Sequence, residues 1–191
     1  MPANLQDISD HTLILPEFLI LDASIILELT PDPTRSHKNH LIAVDFLNRL
    51  RMAAKGDQVI PILPLLALEE CYFKLCKRAL IAYATLAGVS WENYYKTNPV
   101  IIRSIYPALE QLYKALLAFP IIITEPEDLA IQSKGNKAPL ASRIGDLVYQ
   151  FAVLPKDATI LSEAERLGVY TVATLDSDWS RADGFTVICP F

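Results

Sequence analysis

The chain has 191 residues, of which 52% are hydrophobic, and its formal net charge at pH 7 is −5. This length suits one domain with a single core, and the high apolar content predicts buried strands and excludes an intrinsically disordered protein. The acidic balance excludes a protein that holds nucleic acid by overall basicity, so a nucleic-acid ligand would need a local basic patch or bound cations.

The first part of the chain predicts a buried strand and two helices. Residues 18–22 form an apolar run that ends in Asp22, and a helical segment at 24–29 follows it directly. A polar, proline-containing loop is expected at 31–39. Apolar residues at helical spacing then predict a helix over 40–54.

The middle of the chain predicts a second strand at 59–62 and a long helical region. Pro64 is well placed to open a helix, since its fixed φ suits the first helical turn. Glu69 and Glu70 lie one turn inside this helix. A further helical pair is expected over 91–119.

The last third predicts, in chain order, a strand at 121–124, a loop around 133–137, helices at 140–153 and 156–167, and strands at 170–174 and 185–189. The alternation of strands and helices predicts a three-layer α/β/α sandwich with a central, mainly parallel sheet of about five strands. We expect one domain over residues 1–191, with a helical elaboration around 80–120.

Four carboxylates occur at positions that such a sheet would bring together at the carboxyl ends of its strands. Asp22 and Asp176 each follow a strand, and ligands bind beyond the carboxyl ends of parallel strands. Asp157 and Glu70, each near the start of a helix, can point to the same edge. Crowded carboxylates repel each other unless a cation neutralises them, and oxygen ligands suit Mg²⁺ or Mn²⁺. The pattern predicts metal-assisted phosphoryl chemistry.

The chain also resembles the PIN-domain nucleases in five ordered blocks, which are Ile-Leu-Asp-Ala-Ser at 20–24, Pro-Leu-Leu-Ala-Leu-Glu-Glu at 64–70, Lys-Asp-Ala-Thr-Ile-Leu-Ser-Glu-Ala-Glu-Arg-Leu-Gly at 156–168, Ala-Thr-Leu-Asp-Ser-Asp-Trp at 173–179 and Val-Ile-Cys-Pro at 187–190. The resemblance implies a PIN-like fold. It implies catalytic and metal-binding roles for Asp22, Glu70, Asp157 and Asp176, a further metal ligand in Asp178, and supporting hydroxyls in Ser24 and Thr174. The family spacing favours Glu70 over Glu69.

The resemblance implies an endoribonuclease that uses Mg²⁺ or Mn²⁺ to hydrolyse RNA phosphodiester bonds. A role as the toxin of a toxin–antitoxin pair, with an antitoxin protein as partner, is open, and so is a homodimer. The alternative is a catalytically inactive PIN-like scaffold that binds RNA or a partner protein. Retention of all four acids favours the nuclease.

Basic residues near position 140 offer one candidate RNA contact. Lys134, Lys137 and Arg143 occur in a segment without acids, which suits a phosphate grip, and a solvated charged loop explains the same pattern. His37 and His40 lie in the predicted polar loop without a third ligand, so we assign them no metal.

Other features of the sequence exclude alternative functions and bear on the location of the protein. An Asp-x-Asp phosphatase motif at Asp176 is excluded by position, because only fifteen residues follow it, and a dinucleotide-binding fold is disfavoured by the absence of a glycine-rich loop. No apolar stretch approaches the ~18–20 residues of a membrane span. The start of the chain does not resemble a secretory signal, and three cysteines without CxxC spacing indicate reduced thiols. We expect a cytoplasmic protein.

Overall fold

In the computed structural model, the described parts of the chain are residues 3–30, 37–124 and 140–190. Their strands are β1 Asn4–Asp7, β2 Phe18–Leu21, β3 Ile60–Pro64, β4 Ile122–Thr124, β5 Thr171–Ala173 and β6 Thr186–Cys189. Their α-helices are α1 Ala23–Ile26, α2 His37–Lys55, α3 Leu65–Ala87, α4 Trp91–Thr97, α5 Ile102–Leu117, α6 Leu140–Phe151 and α7 Pro155–Leu167. Short 3₁₀ helices occur at Leu27–Leu29, Pro99–Ile101 and Ser177–Arg181.

The strands form one sheet in the order β1-β6-β5-β2-β3-β4, and all its pairings are parallel. The predicted α/β/α sandwich with a mainly parallel central sheet is confirmed. From β2 the chain moves outward to β3 and β4, and it then returns past β2 to β5 and β6. Connections therefore leave β2 and β5 in opposite directions, and the carboxyl ends of these two neighbours form the crevice where ligands bind in open α/β sheets.

The core explains why the apolar runs become strands. Leu19, Ile20 and Leu21 are completely buried, as are Val187 and Ile188 in β6, which is expected for parallel strands covered on both faces. A single cluster of buried side chains extends through the described residues, from the first strand to the last. All five predicted strands are present, with ends that differ by at most two residues.

The sequence prediction missed one strand. β1 pairs with the edge of β6 and has the polar sequence Asn-Leu-Gln-Asp, with its first two residues exposed. An edge strand that is open to solvent lacks the continuous apolar run by which buried strands are found. The sheet therefore has six strands among the described residues rather than about five.

The start of α2 also differs from the prediction. Residues 37–39, expected to belong to a loop, form the first turn of α2, while residues 31–36 lie outside the described part of the chain. The polar sequence His-Lys-Asn contributes nothing to the apolar periodicity from which the helix was predicted.

The predicted helical elaboration is built around α3. This helix has 23 residues and ends at Gly88, whose φ of 67° gives the left-handed cap that favours glycine. Ser90 then caps α4 by accepting a hydrogen bond from the backbone of Asn93. Both α4 and α5 pack against α3. The elaboration thus continues the same helix that carries Glu70.

The three cysteines lie on α3 and β6. Cys71 and Cys189 are buried free thiols, and Cys76 is a half-buried one. In the described ranges, no helix combines the length and the apolar character needed to cross a membrane.

Candidate functional site

Asp22 lies at the crevice between β2 and β5. It directly follows β2, caps the N-terminus of α1 and is only 5% exposed. Its Oδ2 accepts hydrogen bonds from the backbone N of Ser24 at 3.1 Å, from Ser24 Oγ at 2.5 Å and from Thr174 Oγ1 at 2.9 Å. Oδ1 makes no hydrogen bond with the described residues. The carboxylate is therefore held firmly by one oxygen and leaves the other for a ligand.

Two hydroxyl groups tie the ends of the neighbouring strands together. Ser24 Oγ accepts a hydrogen bond of 2.9 Å from the backbone N of Leu175, and Thr174 Oγ1 accepts one of 3.0 Å from the backbone N of Asp176. The two hydroxyl oxygens are 3.2 Å apart. Ser24 and Thr174 thus orient Asp22 and the backbone of Asp176, a position that suits the supporting role expected of them.

Asp157 lies within electrostatic reach of the other three acids. It lies half-buried in the first turn of α7. Burial, and then the charges of Asp22, Asp176 and Glu70, raise its pKa to about 6. Three carboxylates that are far from Asp157 in the sequence therefore act on it at the carboxyl end of the sheet.

Glu70 and Glu69 face different neighbours. Glu70 Oε1 forms an ion pair of 2.7 Å with Lys74 Nζ one turn along α3, and the charge of Glu70 acts on Asp157. Glu69 is exposed, and its charge acts on Glu163 in α7. The structure thus turns Glu70 toward the acidic site and gives it a lysine as its counterion.

The donor chemistry of these carboxylates fits a hard divalent cation, since Mg²⁺ and Mn²⁺ prefer oxygen ligands. Within the described ranges, however, no group of three or more Asp, Glu, His or Cys side chains is arranged so that it could hold a metal ion. Asp176 is exposed, and Glu70 is engaged by Lys74. A bound cation would therefore require these side chains to turn inward, with Glu70 exchanging Lys74 for the ion.

Asp178 does not join this group. Its Oδ1 lies 2.9 Å from Arg181 Nη2, and its side chain is exposed. Its backbone N donates a hydrogen bond of 2.9 Å to Asp176 Oδ1. Asp178 therefore helps to orient Asp176 through the main chain, while its own carboxylate is paired with Arg181.

The predicted RNA contacts are only partly described. Lys134 and Lys137 lie outside the described residues. Arg143 of α6 donates from Nε to Glu165 Oε2 at 2.7 Å, and its Nη2 also pairs with Oε1 of the same carboxylate. This two-point pair links α6 to α7, so Arg143 already has a structural partner.

Two buried acids were not found from the sequence. Glu163 of α7 is 6% exposed, its pKa is raised to about 7 chiefly by burial, and its Oε2 has no hydrogen-bond partner in the described part of the chain. Glu28 is buried, and its Oε2 lies 2.7 Å from Nδ1 of His40. The interpretation of His40 as a solvated loop histidine was therefore wrong. The usable signal for Glu163 was its place between the apolar residues Leu161 and Ala164.

Comparison with known proteins adds no relative to this geometry. No protein-family model matches the chain, and no curated protein has a significant sequence match to it. The function of the site must therefore be inferred from its residues and their arrangement.

Proposed function

We propose that this protein is a metal-dependent endoribonuclease of the PIN-like type, acting on RNA phosphodiester bonds in the cytoplasm. The observation that carries the proposal is the placement of Asp22 and Asp176 at the carboxyl ends of neighbouring strands, where the hydroxyl of Thr174 joins them. Asp157 lies close enough that the charges of Asp22, Asp176 and Glu70, after burial, raise its pKa. Such crowding lowers stability unless a cation relieves it, and a site kept at that cost indicates function.

Each residue has a distinct part in this proposal. Asp22, Glu70, Asp157 and Asp176 would hold Mg²⁺ or Mn²⁺. When bound, the ion supplies an activated water and neutralises the phosphodiester oxygens. Because the pKa of Asp157 is raised to about 6, a cation that binds below this pH must displace its proton. Ser24 and Thr174 hold Asp22 in a fixed orientation.

The hydrolysis breaks one ester bond of the substrate. Water adds to phosphorus, one ester oxygen leaves with a proton, and the products are a phosphate monoester end and a hydroxyl end. Lys74, released from Glu70 when a cation binds, would become available to the substrate phosphate, since its amino group then has no carboxylate partner.

A second candidate function is an inactive scaffold that binds RNA or a partner protein. It is favoured by the pair between Glu70 and Lys74, which already neutralises one acid, and by the lack of a preformed metal-binding group among the described residues. The two candidates differ in whether added cations bind the acids and whether RNA is cut.

Purified protein incubated with labelled single-stranded RNA tests the proposal. We expect fragments with Mn²⁺ or Mg²⁺ and none with EDTA. Asp22→Asn should abolish the fragments, whereas Asp57→Asn should leave them unchanged, because Asp57 is exposed in a turn with a φ of 55° that asparagine adopts readily. RNA binding without cleavage under all of these conditions would favour the scaffold.

A toxin role is a narrower proposal, and it rests on the resemblance alone. It predicts that expression of the chain arrests bacterial growth through its nuclease activity and that an antitoxin protein relieves the arrest. Growth curves of cells expressing wild type and Asp22→Asn test it. Equal growth of the two strains, with cleavage by the purified wild type, would indicate a housekeeping nuclease.

A further inference from the structure

Beyond Glu70, α3 and the first turns of α4 and α7 carry aromatic rings and lysines that the proposed chemistry does not use. Phe73 and Trp91 meet edge to face, with ring centroids 6.4 Å apart and an interplanar angle of 79°. Lys156 Nζ lies 5.2 Å from the centroid of Phe73, and Lys77 Nζ lies 5.3 Å from that of Trp91. We call these four residues the Phe73–Trp91 surface.

This surface is accessible and has a pocket beside it. Phe73 is 49% exposed, and Lys156 is also exposed. A pocket of about 230 Å³ opens between the rings of Phe73, Trp91 and Tyr95. Phe73 and Tyr95 are exposed and Trp91 is half-buried, and such neighbouring aromatic side chains at the surface of a folded protein indicate a binding surface.

The Phe73–Trp91 surface begins where the acids end. Phe73 follows Glu70 by three residues on α3, a rise of about 4.5 Å at 1.5 Å per residue. Lys156 directly precedes Asp157 in the first turn of α7. A chain bound across these rings would therefore pass next to Glu70 and Asp157.

The chemistry of the surface selects its ligand. Lys156 lies over the ring of Phe73 and Lys77 over that of Trp91, so the phosphates of a bound strand would draw these ammonium groups off the rings and open ring faces to unpaired bases. Cationic side chains beside aromatic rings are the combination by which proteins hold single strands without reading their sequence. A duplex conceals the faces of its bases and cannot stack in this way.

A second groove on the same helical elaboration provides a contrast. It is lined by Tyr72, Tyr106, Tyr113 and Glu110, and no lysine or arginine of the described residues lines it. Glu110 is held by Lys114 at 2.8 Å. This groove has rings but carries an acid, so it does not suit a polyanion.

We propose that the Phe73–Trp91 surface binds single-stranded RNA by stacking its bases and that it leads the strand to the acidic site. The inference rests on the proposed nuclease function for its biological meaning and specifies the substrate of that site. Binding itself requires only the rings and the lysines, so it is measured separately from cleavage.

The test is equilibrium binding of fluorescent oligouridine of about ten nucleotides, within the site sizes usual for single-strand binders, in EDTA so that no cleavage occurs. We expect tight binding of the single strand and weaker binding of an abasic strand of equal length and of a duplex. Phe73→Ala and Trp91→Ala should each weaken binding about tenfold. Trp91→Phe, which keeps a ring, should retain most of the affinity.

Tyr106→Ala is the matched control, because Tyr106 is an exposed ring on the contrasting groove, and the affinity of this variant should equal that of wild type. Tryptophan fluorescence gives a readout on the unmodified protein. Trp179 is buried and Trp91 is half-buried, so stacking should quench Trp91 with the single strand but not with the abasic one.

Equal affinity for the abasic and base-containing strands, or unchanged affinity in both alanine variants, would overturn the proposal. Its failure is distinguishable from failure of the nuclease. If wild type cuts RNA but the alanine variants bind normally, the stacking surface is refuted and the nuclease stands. If the variants lose binding and wild type never cuts, the surface stands without the nuclease.

Discussion

Thr174 and Asp22 are 152 positions apart in the chain, yet the hydroxyl of Thr174 donates a hydrogen bond of 2.9 Å to Oδ2 of Asp22. The bond crosses from the end of β5 to the end of β2, the two strands at which the sheet reverses its direction of winding. The same hydroxyl accepts from the backbone N of Asp176. One buried side chain therefore sets the relative position of two of the four acids.

Replacing Thr174 with valine should disturb the acidic site while preserving the packing volume. Thr174 is completely buried, so its loss leaves Asp22 with one donor fewer and the backbone N of Asp176 without an acceptor. We expect unfolding in urea to show a loss of about 1–3 kcal/mol. Mn²⁺-dependent cleavage should fall, and Thr174→Ser, which keeps the hydroxyl, should restore most of it. Full activity of the valine variant would show that this hydroxyl does not position the site.

Asp22→Asn should separate activity from stability. The amide oxygen can still accept from Ser24 and Thr174, so the local structure should be retained, while one negative charge near Asp157 is lost. We expect no cleavage of RNA and, without metal, a melting temperature equal to or above that of wild type. Measured cleavage at the wild-type rate would exclude Asp22 as a ligand. A lower melting temperature would contradict the repulsion argument.

The sequence predicts the strands well where they are apolar on both faces. The apolar run at 18–21 predicts a covered strand, and the carboxylate at its end predicts an open sheet edge. In the structure Asp22 lies at that edge but is only 5% exposed, because Ser24 and Thr174 donate hydrogen bonds to it. β1 could not be found in the same way, because the short sequence Asn-Leu-Gln-Asp has no apolar run and its side chains are little buried at the solvent-exposed edge of the sheet.

The sequence predicted which acids belong to the candidate site, but it did not predict the ion pairs around them. Spacing along α3 and α7 indicates that Glu70 and Asp157 lie near the ends of buried strands. It does not indicate that Lys74 pairs with Glu70, because lysines at helical spacing from an acid are common on exposed faces. Nor does it show that Arg143 is paired with Glu165, since that contact joins two helices whose packing depends on the whole fold.

The basic segment before α6 permits a contrast between binding and structure. Charge reversal at Lys134 and Lys137 should weaken RNA binding and reduce its dependence on salt, because fewer counterions are released from the phosphates. Arg143→Gln should instead lower stability by about 1 kcal/mol through loss of its pair with Glu165 and should change RNA binding little. Fluorescence anisotropy across a salt series and thermal unfolding measure the two effects. If both reversals match wild type in affinity and salt slope, the segment does not contact RNA.

Glu163→Gln should stabilise the protein in neutral and basic solution. Burial raises the pKa of Glu163 from 4.5 to about 7, so the folded state binds this proton more tightly than the unfolded state does. Its contribution to stability is complete below pH 4.5 and is lost as the pH rises to about 7. At pH 8 we expect the variant to be more stable by about 1–3 kcal/mol, given 1.36 kcal/mol per pKa unit.

The control for this change is Glu17→Gln, because it makes the same chemical replacement at an exposed position. Urea unfolding at pH 4.5, 6 and 8 measures the three proteins. The advantage of the Glu163 variant should vanish at the lowest of these values. An advantage that is equal at all three would refute the raised pKa of Glu163.

Asp157→Asn links pH, stability and metal binding in one experiment. The pKa of Asp157 rises from 3.8 in the unfolded chain to about 6 in the folded one, so the wild type without metal should lose stability as the pH rises through this window. Because Asp157 is half-buried, solvent screens part of the effect, and we expect a loss of about 1–2 kcal/mol. The variant should lack this loss and should be the more stable protein at pH 7.5 in EDTA.

Addition of Mn²⁺ at pH 7.5 should reverse the order of the two proteins. In the wild type the cation relieves the repulsion at Asp157 and should raise the melting temperature, because it binds the folded state alone. At pH 5 the same addition should have a smaller effect, since the cation must then displace the proton of Asp157. The variant should respond weakly at both values. A Mn²⁺ response that is independent of pH, or equal in wild type and Asp157→Asn, would show that the ion binds elsewhere and that the four acids do not form its site.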